Sequence, residues 1–208
     1  MTDILSTDPS RPRPVLASGS ATRAAMLRAA GIGFDTAQPR VDEDALRAAL
    51  EAEGTTPRDL ADALAEAKAL KVSQRLPEAL VIGADQVLEY QGRALAKPPD
   101  LAAARARLMA LRGGSHRLHT AVVVAEAGRP VWRHLDTARL TMRAASDALI
   151  DAYLARHGAG LCASVGAYRI EDEGVRLFSR IDGDQFAILG LPLVALLDYL
   201  STRGVIAT

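Results

Sequence analysis

Two spacings of apolar residues alternate along the chain. Val15 to Ser18 is a short apolar run closed by Gly19-Ser20, after which Met26, Leu27 and Ala30 mark one face of a helix that Gly31 ends. This predicts a strand, a loop and a helix, with Ser20 as the cap and the first helical amides turned back on the loop. Phe34 to Gln38 reads as a second strand broken by Pro39. Thr56-Pro57 with Asp59 starts a helix whose stripe of Leu60, Ala63, Leu64 and Ala67 continues toward Arg75. Ala79 to Ala84 is almost wholly apolar, the pattern of a strand covered on both faces, and Asp85 is the first charge to interrupt it. Pro98-Pro99-Asp100 opens a helix with Leu101, Ala104, Leu108 and Leu111 on one side and Gly113-Gly114 as its stop. Val122 to Val124 and Trp132 to Met142 predict two strands joined near Gly128-Arg129 as an antiparallel ribbon. A Ser-capped helix over Ser146 to His157, a strand over Val175 to Ile181 and an apolar helix over Pro192 to Leu200 complete the chain. The alternation predicts an α/β protein with a mixed sheet: a loose tail over 1–14, then one domain over 15–208, with no internal repeat or long linker.

Composition narrows the class. With 208 residues, 49% of them apolar, the chain can bury a core without staples, so the lone Cys162 is expected to be a small buried residue in a reducing compartment. Lys+Arg and Asp+Glu both number 25, so no global positive field draws the protein to DNA, RNA or a membrane, and any bound anion must be held locally. The longest apolar stretch, Phe186 to Leu197, contains Gly190 and Pro192 and falls short of the roughly 20 residues a membrane span needs. The first residues have no apolar block before a small-residue cleavage site, so a signal peptide is not expected.

Several polar clusters can carry chemistry. Ser18-Gly19-Ser20-Ala21-Thr22-Arg23 offers backbone amides, hydroxyls and a guanidinium, which suit a phosphate group; the plainer alternative is a capped turn with a surface arginine. Asp85, delivered by its strand near the sheet edge, suits a divalent cation or the acceptance of a proton from water, or else caps a turn. Lys97 precedes a helix start and suits a phosphate or bulk solvent equally. Asp42-Glu43-Asp44 can coordinate magnesium or simply favour a helix start. Glu66 and Lys68 are two apart and cannot share a helix face, so one of them points toward whatever the helix packs on. Among His116, His119, His134 and His157, only the first two are close, and in a strand their spacing puts them on opposite faces; zinc is not expected. Gly31-Ile32-Gly33 follows a helix and so is no dinucleotide fingerprint, and no Walker loop occurs.

Taken in order, Leu16-Ala17-Ser18-Gly19-Ser20, Val41-Asp42-Glu43, Leu64-Ala65 with Lys68-Ala69, Val81-Ile82-Gly83-Ala84-Asp85, Lys97-Pro98, Gly114-Ser115-His116 with Thr120, Gly166-Ala167-Tyr168, Ile181-Asp182-Gly183 and Gly190-Leu191-Pro192-Leu193 resemble the Maf family from about Val15 to Leu200. The resemblance implies a mixed sheet flanked by helices with a deep cleft between two lobes, akin to the inosine triphosphatase fold. It also implies a cytoplasmic, metal-dependent hydrolase that converts a nucleoside triphosphate to the monophosphate and pyrophosphate, with a link to septum formation. By position, Asp85 is similar to the family's proton-accepting aspartate. Ser18, Ser20 and Arg23 match the phosphate-gripping loop, Lys68 and Lys97 the lysines facing the triphosphate, and Glu43 with Asp85 the acidic residues at a Mg2+ or Mn2+ ion. The implied partners are the nucleotide substrate and, as a homodimer, a second copy of the chain.

The chain departs from the family pattern in places. Ala21, Thr22 and Arg23 stand where the usual loop has proline and two arginines, and Cys162-Ala163-Ser164-Val165 replaces the common lysine-alanine-glycine run. Gln86 and Glu171 stand where pyrimidine-acting members carry threonine and glutamine. With Thr22, where a tryptophan is frequent, they resemble in part the branch acting on 7-methyl-GTP. The alternatives are a pyrimidine pyrophosphatase acting on dTTP or UTP and a non-catalytic, nucleotide-binding regulator of septum formation.

Overall fold

A computed structural model describes residues 13–206, so most of the expected tail over 1–14 lies outside the described residues. The described chain falls into two compact units. The first holds the chain up to Asp85, Thr120–Asp136 and the chain from Asp184; the second holds Gln86–His119 and Thr137–Gly183.

The elements keep the predicted alternation: β1 (Val15–Ala17), α1 (Ala21–Ala29), β2 (Asp35–Thr36), α2 (Glu43–Ala52), α3 (Pro57–Ser73), β3 (Val81–Tyr90), β4 (Arg93–Leu95), α4 (Leu101–Leu111), β5 (Ser115–Glu126), β6 (Arg129–Met142), α5 (Asp147–His157), β7 (Phe178–Asp182), α6 (Gln185–Ile188) and α7 (Leu193–Thr202). Of these, α2, β4 and α6 are additions that the sequence reading did not give. Among the described residues the strands form one mixed sheet in the order β2-β1-β3-β5-β6-β7, with β4 paired to β3. β1 is parallel to β2 and to β3, whereas β4 runs antiparallel to β3 and β7 antiparallel to β6. β5 and β6 are joined by Ala127-Gly128, both at positive φ, the conformation of a two-residue hairpin turn. The ribbon expected there is present and begins earlier in the chain than its apolar core suggested.

In the first unit, α1 and α7 bury Met26, Leu27, Leu193, Leu196 and Leu200 against Leu16, Ile82, Ala84, Val122 and Val124 of the sheet. Each such leucine, fully buried, is worth about 1.5–3 kcal/mol. The opposite face of β1 and β3 packs Val15, Ala17 and Val81 against Val72 of α3. In the second unit α4 packs on α5 and on the tight helical turn Gly158–Ala163.

Three expectations are corrected. The strand over Phe34 to Gln38 shrinks to Asp35–Thr36, because β1 is only three residues long and pairs with no more than that. The strand over Val175 to Ile181 starts at Phe178; Glu173–Leu177 forms a tight helical turn whose first free amide, Gly174 N, donates to Asp172. The strand ending at Asp85 runs on to Tyr90 and lies inside the sheet, between β1 and β5, so Asp85 is neither at a strand end nor at the sheet edge. It is β1 that stops: its last residue, Ala17, pairs with Gly83, and beyond that point β3 loses its parallel neighbour beside Asp85.

Gly83 is where α3 touches β3. A Cβ at this position would lie 2.4 Å from the Ala65 carbonyl oxygen and 2.6 Å from the Ala69 amide nitrogen, both backbone atoms of α3. Glycine on the strand and alanines on the helix therefore set the approach of the two elements. Gly83→Ala is expected to lower stability by about 1–3 kcal/mol, as overpacking does, read as a fall in the urea midpoint at unchanged slope. A change under about 0.5 kcal/mol, the usual scatter of a surface substitution, contradicts the close approach.

Candidate active site

After Ala17 the chain leaves the sheet, and the loop that follows folds on its own hydroxyls. Ser20 caps α1, its Oγ accepting from Arg23 N at 3.3 Å, and the buried Ser18 Oγ accepts from Ser20 N at 3.2 Å. Arg23 is not the surface arginine of a plain capped turn. Its Nη1 donates to Ser18 Oγ at 3.2 Å and its Nε donates to the Gly190 carbonyl at 2.6 Å. Burial pulls the Arg23 guanidinium below its ordinary pKa, while the Asp85 and Glu43 carboxylates pull it back up. It remains a cation at neutral pH. The Gly190 anchor was not legible in the sequence as part of the site, because it lies 167 positions away from Arg23.

The close packing of α3 on β3 carries Lys68 to Asp85. Lys68 Nζ donates to Asp85 Oδ1 at 2.6 Å, and Lys68 and Asp85 are each only 6% exposed. The same Nζ lies 2.8 Å from Glu43 Oε2, in the first turn of α2. The acidic triplet thus divides its labour: Asp42 caps α2 by accepting from Ala45 N at 3.0 Å, Glu43 reaches Lys68, and Asp44 is exposed. The helix-start reading of the triplet holds. Glu66 turns away from this centre to pair with Arg133 at 2.6 Å, as the two-residue spacing from Lys68 requires.

The first unit therefore gathers Ser18, Ser20, Arg23, Glu43, Lys68 and Asp85, with Thr22 half-buried in the first turn of α1. Two carboxylates face two cations, so the group is electrically balanced without a ligand. No group of three or more His, Cys, Asp and Glu suited to a metal occurs among the described residues. Glu43 and Asp85 nevertheless converge on one point, which suits a hard divalent ion that draws its other ligands from water and phosphate oxygens.

The remaining candidates belong to the second unit. Gln86, next to Asp85 on β3, projects to the opposite face of that strand and is half-buried. Lys97 is exposed in the segment before α4, whose cap is Asp100. Glu171 is exposed, and its carboxylate lies 3.5 Å from Arg169 Nε, which Asp172 approaches to 3.3 Å. Cys162, expected to be buried, is half-exposed in the turn after α5.

The two strand histidines lie in different surroundings. His119 bonds Glu89 at 2.7 Å and Thr137 at 2.9 Å, and this bond holds the Glu89 carboxyl below its ordinary range. His116 is 2% exposed and bonds the Tyr168 hydroxyl at 2.6 Å. Burial pushes His116 down to about 4 from 6.5 and pushes the Tyr168 phenol up. Between those two pH values the unfolded chain binds the proton that the folded chain refuses, so stability falls as pH drops from about 6.5 to about 4, by up to ~3 kcal/mol. His116→Gln, which can still bond Tyr168, is expected to flatten that part of the urea-midpoint profile against pH; an unchanged slope means His116 is not a buried neutral imidazole.

The family model described as Maf-like protein matches residues 13–203. A nucleoside triphosphate pyrophosphatase of Caulobacter vibrioides is 56% identical over 189 residues, covering 91% of this chain and 94% of that relative. Proteins of the same description from Ruegeria pomeroyi and Rhodospirillum rubrum are 52% and 49% identical, covering 93% and 94% of this chain and 98% and 96% of their own lengths.

Proposed function

The chain belongs to the Maf-like protein family, and from that premise we propose that it is a nucleoside triphosphate pyrophosphatase acting on 7-methyl-GTP, with Asp85 as the group that takes the proton from water. The observation that carries this reading is the centre in which the buried Lys68 joins the buried Asp85 to Glu43 beside Arg23. A phosphoanhydride is cut when water is positioned and deprotonated and when cations meet the charge that develops on the phosphate oxygens. Asp85 lies beyond the last pair of β1 with β3, on the side where the loop toward α1 leaves the sheet. Arg23, held by Ser18 and Gly190, presents a fixed guanidinium, and Lys68 an ammonium, to the phosphates. Ser18, Ser20 and the first amides of α1 add short donors. Glu43 and Asp85 are the residues that would hold a divalent ion, which supplies positive charge against the phosphate oxygens when bound. Water adds to the α-phosphorus, its proton passes to Asp85, and the bond to the β-phosphate breaks to release pyrophosphate.

Asp85→Asn is expected to fold and to lose most turnover, because an amide cannot accept the proton. Turnover within tenfold of the native chain, a barrier change of only ~1.4 kcal/mol, removes Asp85 from this role. Excess chelator is expected to abolish turnover, and added magnesium or manganese to restore it; activity that survives chelation leaves Arg23, Lys68 and Lys97 as the charge stabilisers.

The base preference rests on Gln86 and Glu171. A carboxylate accepts hydrogen bonds from the N–H donors of guanine, and methylation at the seventh position adds positive charge that strengthens them. We expect kcat/KM for 7-methyl-GTP to exceed that for UTP and dTTP, with pyrophosphate and orthophosphate measured separately, and Glu171→Gln to narrow the gap. An unchanged ratio means Glu171 does not read the base, and native preference for UTP or dTTP makes the protein a pyrimidine enzyme. The link to septum formation is tested in the same terms: an arrest of division on overproduction should vanish with Asp85→Asn. An arrest that persists assigns the effect to nucleotide binding rather than turnover.

A further inference from the structure

Lys68 stands between the two carboxylates that would hold a divalent ion. Its Nζ lies 2.6 Å from Asp85 Oδ1 and 2.8 Å from Glu43 Oε2, the two carboxylates assigned above to the metal. The ammonium is buried, its stem is fixed on α3, and the closest approach of α3 to β3 at Gly83 leaves it little freedom near its base. An ammonium and a divalent ion repel each other and compete for the same oxygens, so both cannot occupy that point.

We propose that Lys68 is a resident stand-in cation that closes the metal site of the free protein, so that the metal enters only together with the nucleotide. The inference rests on the reading that Glu43 and Asp85 hold the metal. A free ion must break the buried Lys68–Asp85 pair as well as the pair with the half-exposed Glu43, and leave a buried ammonium without a counter-charge beside Arg23, itself a cation; for the buried pair that is a steep penalty. A nucleoside triphosphate reverses the balance. Its phosphate oxygens give Lys68 and Arg23 new acceptors, and the vacated carboxylates become available to the ion the nucleotide brings. By linkage the coupling is reciprocal: metal and triphosphate each raise the affinity of the protein for the other. The free protein is thereby kept from filling with idle metal, and Lys68 serves two states, as partner of the carboxylates and then of the phosphates.

The test measures metal on the protein without nucleotide. Manganese titrated into the native chain and into Lys68→Gln, followed by the electron paramagnetic resonance signal of the free ion, is expected to bind the variant at least tenfold more tightly. Adding Glu43→Gln to that variant should remove the gain. Equal affinity of the native chain and Lys68→Gln overturns the inference. Because Lys68→Gln leaves Asp85 buried without its cation and can fail to fold, the native chain supplies a second measurement. The 15N signal of the Lys68 ammonium should stay unchanged in magnesium at the concentration that saturates turnover, and shift when α,β-methylene-GTP is added with it. A shift produced by magnesium alone overturns the inference. If the metal reading itself is wrong, turnover survives chelation; if only this inference is wrong, chelation stops turnover while metal affinity does not depend on Lys68.

Discussion

The contact between Gly83 and the backbone of Ala65 and Ala69 is the constraint from which the candidate site follows. It draws α3 onto β3 closely enough that a lysine on the helix, next in the chain to Ala69 of that contact, meets an aspartate two residues along the strand. With a larger residue at 83 the elements must separate, and the distance of 2.6 Å between Lys68 Nζ and Asp85 Oδ1 cannot be kept without rearrangement. The alanines at 65 and 69 belong to the same device, since small residues on both sides let backbone meet backbone. Packing here sets the reach of the charged groups, and so the chemistry.

A buried aspartate and a buried lysine are each costly alone, and the structure meets that cost by pairing. Asp85 and Lys68 share one hydrogen bond, Glu43 completes the lysine's second ion pair from the start of α2, and Arg23 stands near enough to feel both carboxylates. Arg23 is in turn held by a serine of its own loop and by the carbonyl of Gly190, where φ is +108° and a side chain is strained. Every cation in the group has a partner that is an acceptor, and phosphate oxygens are acceptors of the same kind. A site balanced in this way is ready to exchange its internal partners for those of a ligand at small net cost.

The second unit treats its buried polar groups differently. His116 Nε2 and the Tyr168 hydroxyl bond each other between β5 and the Gly166-Ala167-Tyr168 segment, while His116 Nδ1 is buried without a partner, and the ring of Phe178 packs edge-on to Tyr168 at 4.8 Å. Gly166 is needed there because a Cβ would lie 2.2 Å from the Tyr168 ring. The pair is neutral at physiological pH, so this part of the fold gains hydrogen bonding without buried charge, and its stability is sensitive to acid instead.

Local signals in the sequence determined most of the elements. Ser20 and Ser146 accept a backbone amide where a cap was expected, and Thr56 and Asp100 do so at the helix starts that the sequence marked, because capping depends on residues three apart in the chain. The order of short motifs determined the family, and with it the residues that gather around Asp85. The extent of β3 was not readable, because a charge inside a buried strand looks like a terminator until its partner is known, and that partner lies 17 positions earlier on a helix. Nor did any local pattern tell that Glu43 rather than Asp42 or Asp44 reaches Lys68, or that Arg23 is fastened to Gly190. These outcomes depend on distances between elements remote in sequence, which propensity and periodicity do not encode and which only the packing of α3 on β3, and of the Gly190 turn on α1, decided.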